Sequence, residues 1–442
     1  MFPLTRPHRQ VTATLAVFLL TVAPTVYVIV TAWQIGRPSH LRAVEAEIGR
    51  RLGLQASVQA VHYPRPGEVV YRGVVLREEE PREKGLTEVM RAASVRLRRG
   101  DRELTFETEG LWLKGESPRQ VMAQVGALLQ RSAGAPFERV SLSAPTCTLD
   151  LGAGVAPFQL REVIGDFLVD PAEPTVRASY RVVSEGASPR CELTLTRDRK
   201  GEAVRTTLAL KTVEGLPLPA RVFDPFFDAQ AWLGPGAKAE GTLTLRQEGA
   251  SEWEAEFQGH LVDIDLTSLV DRRFTEHRLK GRARLAVDSA RWGDRPGQGF
   301  GWVEARGELT AGPGVIGLGL IHALSSEMKF RKTPRLGRIA SAGVVDLDYR
   351  ALAFRFDMTP DGEIRITGAL GDEFGDEVVL VGTTDTLAFA PEGVANVRGL
   401  IKTLFPVKAI NHAVMVPLTE KSRLLLCLPV GPDLAAKPLG GN

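Results

Sequence analysis

Paired carboxylates are the side chains in this sequence whose spacing could support metal or acid-base chemistry. The pairs are Asp263 with Asp265 and Asp346 with Asp348. Residues two apart lie on one face of a β-strand, where two carboxylates could bind a cation or share a proton. The solvated face of an amphipathic strand gives the same spacing, and it is the favoured interpretation of both pairs.

Other catalytic patterns are missing from the sequence. The seven histidines are scattered without the spacing of metal ligands. There is no G-x-S-x-G nucleophile elbow, no H-E-x-x-H, no phosphate-binding loop and no calcium-binding loop. We therefore expect a protein that is not an enzyme and has no catalytic residue, no cofactor and no metal site.

The three cysteines, Cys147, Cys191 and Cys427, are far apart and form no C-x-x-C pair. This spacing indicates neither a zinc site nor a disulfide framework. Cys147 and Cys191 could form one bridge in an oxidising compartment. Isolated buried thiols are the favoured alternative.

The composition is that of a folded protein with a sizeable core. Of 442 residues, 44% are hydrophobic and 24% are charged, both close to globular averages. The 55 basic and 53 acidic residues are interspersed and give a net charge of +2. No basic surface is indicated, so we expect no nucleic-acid binding.

The longest uncharged segment covers residues 11–33. About 20 apolar residues span a bilayer, so this segment predicts a single transmembrane helix. A signal peptide cleaved near Ala32 is the alternative, although the segment is longer than a normal signal core. Arg6 and Arg9 precede it and favour a cytoplasmic N-terminus, while arginines that follow it weaken that inference.

The sequence after the predicted transmembrane helix predicts mainly β-structure. Ser39 predicts the cap of a short amphipathic helix that ends at Gly53. Alternating apolar residues then predict strands, beginning at residues 54–60 and 69–76. The turn at residues 100–101 predicts a hairpin, and Pro360-Asp361-Gly362 predicts another.

The second half of the chain contains glycines that precede predicted strands and two short helical patterns. Gly241, Gly281, Gly307 and Gly362 precede alternating segments, which predicts strands that begin at glycine and bend, as in curved sheets. Helical patterns cover residues 316–328 and 394–404. We interpret these helices as plugs that cover a sheet end or edge; dipping into a membrane surface is the alternative.

These patterns predict four regions. Residues 1–36 form a cytoplasmic tail and the transmembrane helix, and residues 37–170 an α+β region. Residues 171–236, rich in proline, form a poorly defined junction. Residues 237–442 form a β-rich region.

Large apolar side chains alternate along several predicted strands and therefore share one face. They are Leu243, Leu245, Trp253, Phe257, Phe354 and Phe356. Such a face must be closed, covered or offered to a ligand such as an acyl chain. If it is a lipid-lined groove, an aspartate at Phe257 or Phe356 costs about 1–2 kcal/mol and removes lipid; in a closed core the same charge costs several kcal/mol.

The order of these features resembles the AsmA-like family of bacterial envelope proteins. The segments that carry the resemblance are residues 11–33, 39–54, 71–76, 241–245, 257–266, 281–287, 358–368 and 394–406. The resemblance implies an inner-membrane anchor, a periplasmic bulk, and an elongated, curved antiparallel β-sheet with an open apolar groove and a few short helices. It also implies phospholipid binding or movement in outer-membrane biogenesis. Residues 171–236 match the family poorly.

Two functions compete. The first is an anchored periplasmic protein that binds or moves phospholipid, held in the inner membrane through residues 11–33. The second is an anchored envelope scaffold or secretion-assembly protein that binds protein partners and no lipid. An apolar groove open along one edge favours the first, and a filled sandwich favours the second.

Overall fold

The computed structural model describes the chain from residue 37 to residue 404 with gaps. The described ranges are 37–79, 86–114, 137–150, 156–183, 188–213, 215–223, 229–249, 254–272, 274, 277–295, 299–341, 343–371 and 374–404, with positions 14, 18, 20, 25 and 26. None of the helices in these ranges is long and apolar enough to cross a bilayer. Most of the predicted span lies outside the described residues.

The fold is mainly β, as the alternating patterns predict. The strands of the first half are β1 Gln55–Ser57, β2 Ala60–Arg65, β3 Glu68–Glu79, β4 Leu86–Arg99, β5 Glu103–Glu109, β6 Leu111–Lys114, β7 Arg139–Asp150, β8 Phe158–Leu168, β9 Thr175–Val182, β10 Arg190–Asp198, β11 Arg205–Val213 and β12 Leu218–Pro219. Those of the second half are β13 Lys238–Glu248, β14 Glu254–Asp265, β15 Leu279–Lys280, β16 Arg282–Arg295, β17 Gly299–Ala311, β18 Gly314–Gly317, β19 Arg331–Lys332, β20 Asp346–Met358, β21 Glu363–Gly368, β22 Val378–Gly382, β23 Thr386–Phe389 and β24 Ala395–Asn396.

Within the described ranges, helices are few and short. They are α1 Pro38–Leu52, α2 Ala229–Leu233, α3 Leu318–Glu327, α4 Pro334–Ser341 and α5 Val397–Leu404, with a 3₁₀ turn at Ala220–Phe223 and a π-helical turn at Thr267–Asp271.

Helix α1 confirms the predicted helix but corrects its start. Pro38 occupies the first turn and Arg37 precedes it without a side-chain cap, so Ser39 is not the capping residue. Proline suits this position because its missing N–H would have no partner there. The predicted stop is correct: Gly53 has φ 72° and its N–H bonds the carbonyl of Gly49.

All strands belong to one curved sheet. Its main ladder runs β3, β4, β5, β7, β8, β9, β10, β11, β13, β14, β16, β17, β20, β21. Each pair is antiparallel except β5 and β6 with β7, which are parallel. The ladder is continuous through β9, β10 and β11, which lie within residues 171–236.

Gly241 lies inside β13 and Gly307 lies inside β17. The prediction that strands begin at these two glycines is therefore wrong. Gly241 pairs with Gly259 inside the β13–β14 ladder, and both have positive φ, 145° and 154°. A Cβ on Gly259 would lie 2.0 Å from the carbonyl oxygen of Glu240. The two strands therefore approach more closely here than side chains allow.

We expect Gly259→Ala to lower the free energy of unfolding by about 2–3 kcal/mol, because the methyl group meets backbone and the φ is strained. Urea unfolding of the purified chain measures this. Gly393→Ala is the control, since a Cβ there meets nothing within 4 Å. Equal stability of the two variants would contradict the close approach.

The two predicted short helices exist with shifted starts. The first begins at Leu318, because Ile316 belongs to β18, and Met328 is the residue that follows the helix. The second begins at Val397, so Val394 precedes it. Both pack on the sheet in the second half of the chain.

Candidate functional site

One row of apolar residues crosses the main ladder from end to end. It holds one residue from each of fourteen consecutive strands, and every member is directly opposite the next. The row is Val69, Leu97, Phe106, Leu142, Gly165, Ala178, Leu193, Leu210, Leu243, Phe257, Ala290, Ala305, Met358 and Ile364. We call it the apolar row.

A second row lies two residues along each strand, hence on the same face. It comprises Leu104, Val140, Phe167, Val176, Leu195, Leu208, Leu245, Ala255 and Trp292. The residues between the two rows point to the opposite face and are polar apart from Ala209: Thr105, Ser141, Asp166, Arg177, Thr194, Ala209, Thr244, Glu256 and Arg291. The sheet therefore has one apolar and one polar face.

Ion pairs between neighbouring strands mark the polar face. Arg139 Nη2 lies 2.8 Å from Asp166 Oδ1, and Ser141 Oγ donates to the same oxygen at 2.7 Å. The hydrogen bond from Ser141 is the largest cause that lowers the pKa of Asp166. Burial opposes it, and the hydrogen bond and charge of Arg139 add to the lowering. The charged groups on this face are satisfied within the sheet.

Burial along the apolar row changes at β16. From Val69 to Phe257 the residues are half-buried, whereas Ala290, Ala305, Met358 and Ile364 are buried. Among the described residues, no helix packs extensively along the strands from β7 to β13. The row therefore passes from a half-buried stretch into a buried one.

The buried stretch encloses a cavity of about 440 Å³, which we call the chamber. Its floor is the apolar face of β16, β17, β20, β21 and β22, including Val287, Met358 and Ile366. Its roof is formed by α3, α5 and the π-helical turn, through Leu324, Leu400 and other apolar side chains. These helices are the predicted plugs, and they lie on a sheet face.

Close contacts fix the two roof helices to each other. A Cβ on Gly399 of α5 would lie 2.4 Å from the carbonyl oxygen of Glu327, so the helices meet where only glycine fits. Asn396 Oδ1 accepts the N–H of Gly399 at 2.7 Å, which caps the start of α5. The buried His277 donates from Nε2 to the carbonyl oxygen of Thr403 at 2.5 Å. The roof is thus held at both ends of α5.

Two polar residues, Lys332 and Thr403, line the chamber among its apolar side chains. The Thr403 hydroxyl donates to the carbonyl oxygen of Ala323 at 3.4 Å, which satisfies it within the roof. Lys332 is exposed to solvent and also lines the chamber, which places its ammonium where the chamber meets water. The Lys332 ammonium makes no hydrogen bond or ion pair with any of the described residues.

The six candidate residues from the sequence fall into separate places. Leu243 and Phe257 belong to the apolar row, and Leu245 belongs to the second row. Phe354 and Phe356 line the chamber. Trp253 lies outside the described residues.

Sequence reasoning missed the middle of the apolar face. Leu193 with Leu195, and Leu208 with Leu210, lie in the range interpreted as a junction. The signal was present, because both pairs repeat the Leu-x-Leu spacing of Leu243 with Leu245. Prolines around these strands obscured it.

Asp265 and Asp346, one from each pair of aspartates, have structural partners. Asp265 accepts hydrogen bonds from Ser268 Oγ at 2.7 Å and Thr267 N–H at 3.1 Å; burial opposes ionisation, yet these bonds keep its pKa lowered. Asp346 Oδ2 lies 2.6 Å from Arg278 Nη1. The part of the chain that the structure describes contains no cluster of three residues able to hold a metal ion.

Two cysteines are buried and unpaired. Cys147 and Cys191 are free thiols, and burial raises their pKa to about 11 and about 12. Each packs in an apolar cluster of the first half of the sheet. Cys427 lies outside the described residues.

Comparison with known proteins gave no relative: no family model, no curated protein and no solved structure matches the chain. Its function must therefore be inferred from the sheet and the chamber.

Proposed function

We propose that this chain is a membrane-anchored, non-enzymatic envelope protein that binds phospholipid acyl chains along the apolar row and moves lipid between membranes. In this proposal the sheet is an elongated open groove of the AsmA-like kind. Residues 11–33 hold it in a bacterial inner membrane, with the bulk of the chain in the periplasm. Its role is in building the outer membrane.

The observation that carries the proposal is the unbroken apolar row of fourteen strands. Leucines such as Leu193, Leu210 and Leu243 are directly opposite one another and half-buried. The half-buried members leave part of each side chain accessible, and a contiguous accessible apolar surface is rare on a soluble monomer unless it binds something. Removing such surface from water gains about 25 cal/mol per Å², and an acyl chain has the shape to cover it.

The length of the row suits movement of lipid over a distance. Thirteen steps between strands, at about 4.8 Å each, give a path of roughly 60 Å. A bilayer core is about 30 Å thick. The row is therefore longer than one lipid needs, which supports a path rather than a single binding site.

The polar face explains why such a sheet remains soluble. Its cross-strand ion pairs, for example Arg291 with Glu304 at 3.2 Å, leave charged groups facing water. If one face of the sheet is solvated and lipid covers the other, the apolar face needs no second sheet to pack against it.

Lipid analysis tests the proposal. We expect the full chain, extracted from membranes and purified, to carry phospholipid in at least equimolar amount, measured by mass spectrometry of its organic extract. The control is an unrelated single-span protein purified in the same way.

A chain that carries no more phospholipid than the control would overturn the proposal. A protein segment would then be the occupant of the apolar face. That result would favour the anchored scaffold, which binds protein partners through the same leucines.

A further inference from the structure

We propose that the chamber is a binding site for a single long-chain fatty acid, whose carboxylate is held by Lys332. This inference rests on the proposed function, because the apolar row leads from its half-buried stretch into the chamber. It goes beyond the proposed function because it names a particular ligand for one end of the sheet. That ligand has one acyl chain and one negative charge.

The volume of the chamber fits one chain. An apolar cavity of about 150 Å³ holds a benzene molecule of six carbons, or roughly 25 Å³ per carbon. At that ratio the chamber, with its volume of about 440 Å³, holds about eighteen carbons. The two chains of a phospholipid need about twice this space.

The lining of the chamber fits an acyl chain. Side chains from the floor, such as Phe354, and from the roof, such as Leu404, are apolar. Among the described residues, Thr403 supplies the only hydroxyl on the lining, and it is already bonded to the carbonyl oxygen of Ala323. A polar group of a ligand would lose its water here without gaining a hydrogen bond, which costs free energy. Hydrocarbon enters the chamber without that cost.

The charge at the chamber edge selects the headgroup. Lys332 lies on β19 beside Arg331, whose guanidinium contacts Glu377 at 2.7 Å and Glu392 at 3.3 Å. Successive residues of a strand point to opposite faces, so Arg331 is neutralised on one side and Lys332 faces the chamber. An ammonium without an ion pair at the mouth of an apolar chamber complements a carboxylate.

The path into the chamber is continuous with the row. Phe257, the last half-buried member, is directly opposite the buried Ala290, which lines the chamber. Ala305 and Met358 follow on the next strands. A chain lying along the row therefore enters the chamber without crossing a polar residue.

The test uses the full chain, stripped of lipid and held in an amphipathic polymer, titrated with palmitate. We expect one palmitate to bind per chain. Across saturated fatty acids the affinity should rise about fourfold per methylene and level off near eighteen carbons, where the chamber is full.

Lys332→Met tests the headgroup, because methionine keeps the apolar stem and removes the charge. We expect palmitate to bind about tenfold more weakly, as for loss of a charge-assisted hydrogen bond, and 1-hexadecanol to bind as before. Lys402→Met is the matched control: it removes an exposed lysine that does not line the chamber.

The outcomes separate this inference from the proposed function. Unchanged palmitate affinity in Lys332→Met overturns the assignment of the carboxylate. Displacement of palmitate by an equimolar diacyl phospholipid overturns the single-chain ligand. If phospholipid binds but palmitate does not, the inference fails and the proposed function stands. If neither binds, both fail.

Discussion

Leu193→Glu is expected to reduce the phospholipid carried by the purified chain at least tenfold. Leu193 lies in the middle of the apolar row, between Ala178 and Leu210. A carboxylate at this point would have to lose its water wherever an acyl chain covers it, at a cost of several kcal/mol. Since about 1.4 kcal/mol changes an equilibrium tenfold, the chain should no longer hold lipid there.

The same substitution should cost little stability. Leu193 is only half-buried, so we expect the glutamate to reach water in the lipid-free protein. We expect the free energy of unfolding to fall by about 1–2 kcal/mol, the lost burial of one leucine. Lipid content and urea unfolding are measured on one sample.

Thr194→Glu is the matched control. Thr194 is the next residue of β10 and belongs to the opposite, polar face, where it pairs with Arg177. Both variants introduce a glutamate at neighbouring positions of β10, and the two positions lie on opposite faces of the sheet. Equal lipid loss in the two variants would show that a charge anywhere on β10 disturbs the protein, and the row would have no special role.

The strands could be predicted from the sequence because their alternation is local. Residues 95–97 and 104–106 were predicted as a hairpin, and the structure pairs Leu97 with Phe106. Phe356 and Ile366 are likewise paired across the predicted turn at residues 360–362. In each hairpin the partner is a few residues away, so turn chemistry fixes the register.

The apolar row could not be predicted, because it depends on pairings between distant residues. Phe106 meets Leu142 through a parallel pairing, and Leu210 meets Leu243 across more than thirty residues. Alternation tells which side chains share a face of one strand but not which strands are neighbours. A slip of one residue at any pair would have moved polar residues into the row.

The sequence predicts the helices that cover the chamber but not their positions on the sheet. Helical periodicity at residues 316–328 and 394–404 indicated covering helices, and the structure places α3 and α5 over the sheet. Their position depends on Gly399, which permits contact with Glu327, and on the distant pair His277 and Thr403. Neither contact leaves a local pattern. A single lysine such as Lys332 gives no signal in a sequence rich in charges.

Met358→Asp is expected to lower the free energy of unfolding by about 3–5 kcal/mol. Met358 belongs to the apolar row, like Leu193, but is only 6% exposed under the roof of the chamber. An aspartate there loses the packing of a buried methionine and lacks a partner for its charge among the apolar lining.

Comparison within the row identifies the cause of that loss. Leu243→Asp makes the same change of charge on the same row at a half-buried position, and we expect a loss of about 1–2 kcal/mol. Phe356→Asp should resemble Met358→Asp, because Phe356 lines the chamber. Equal losses at Met358 and Leu243 in urea unfolding would mean that the face is covered, or uncovered, along its whole length. A larger loss at Met358 means that a single apolar surface serves as a closed core at one end and as a lipid-accessible surface at the other.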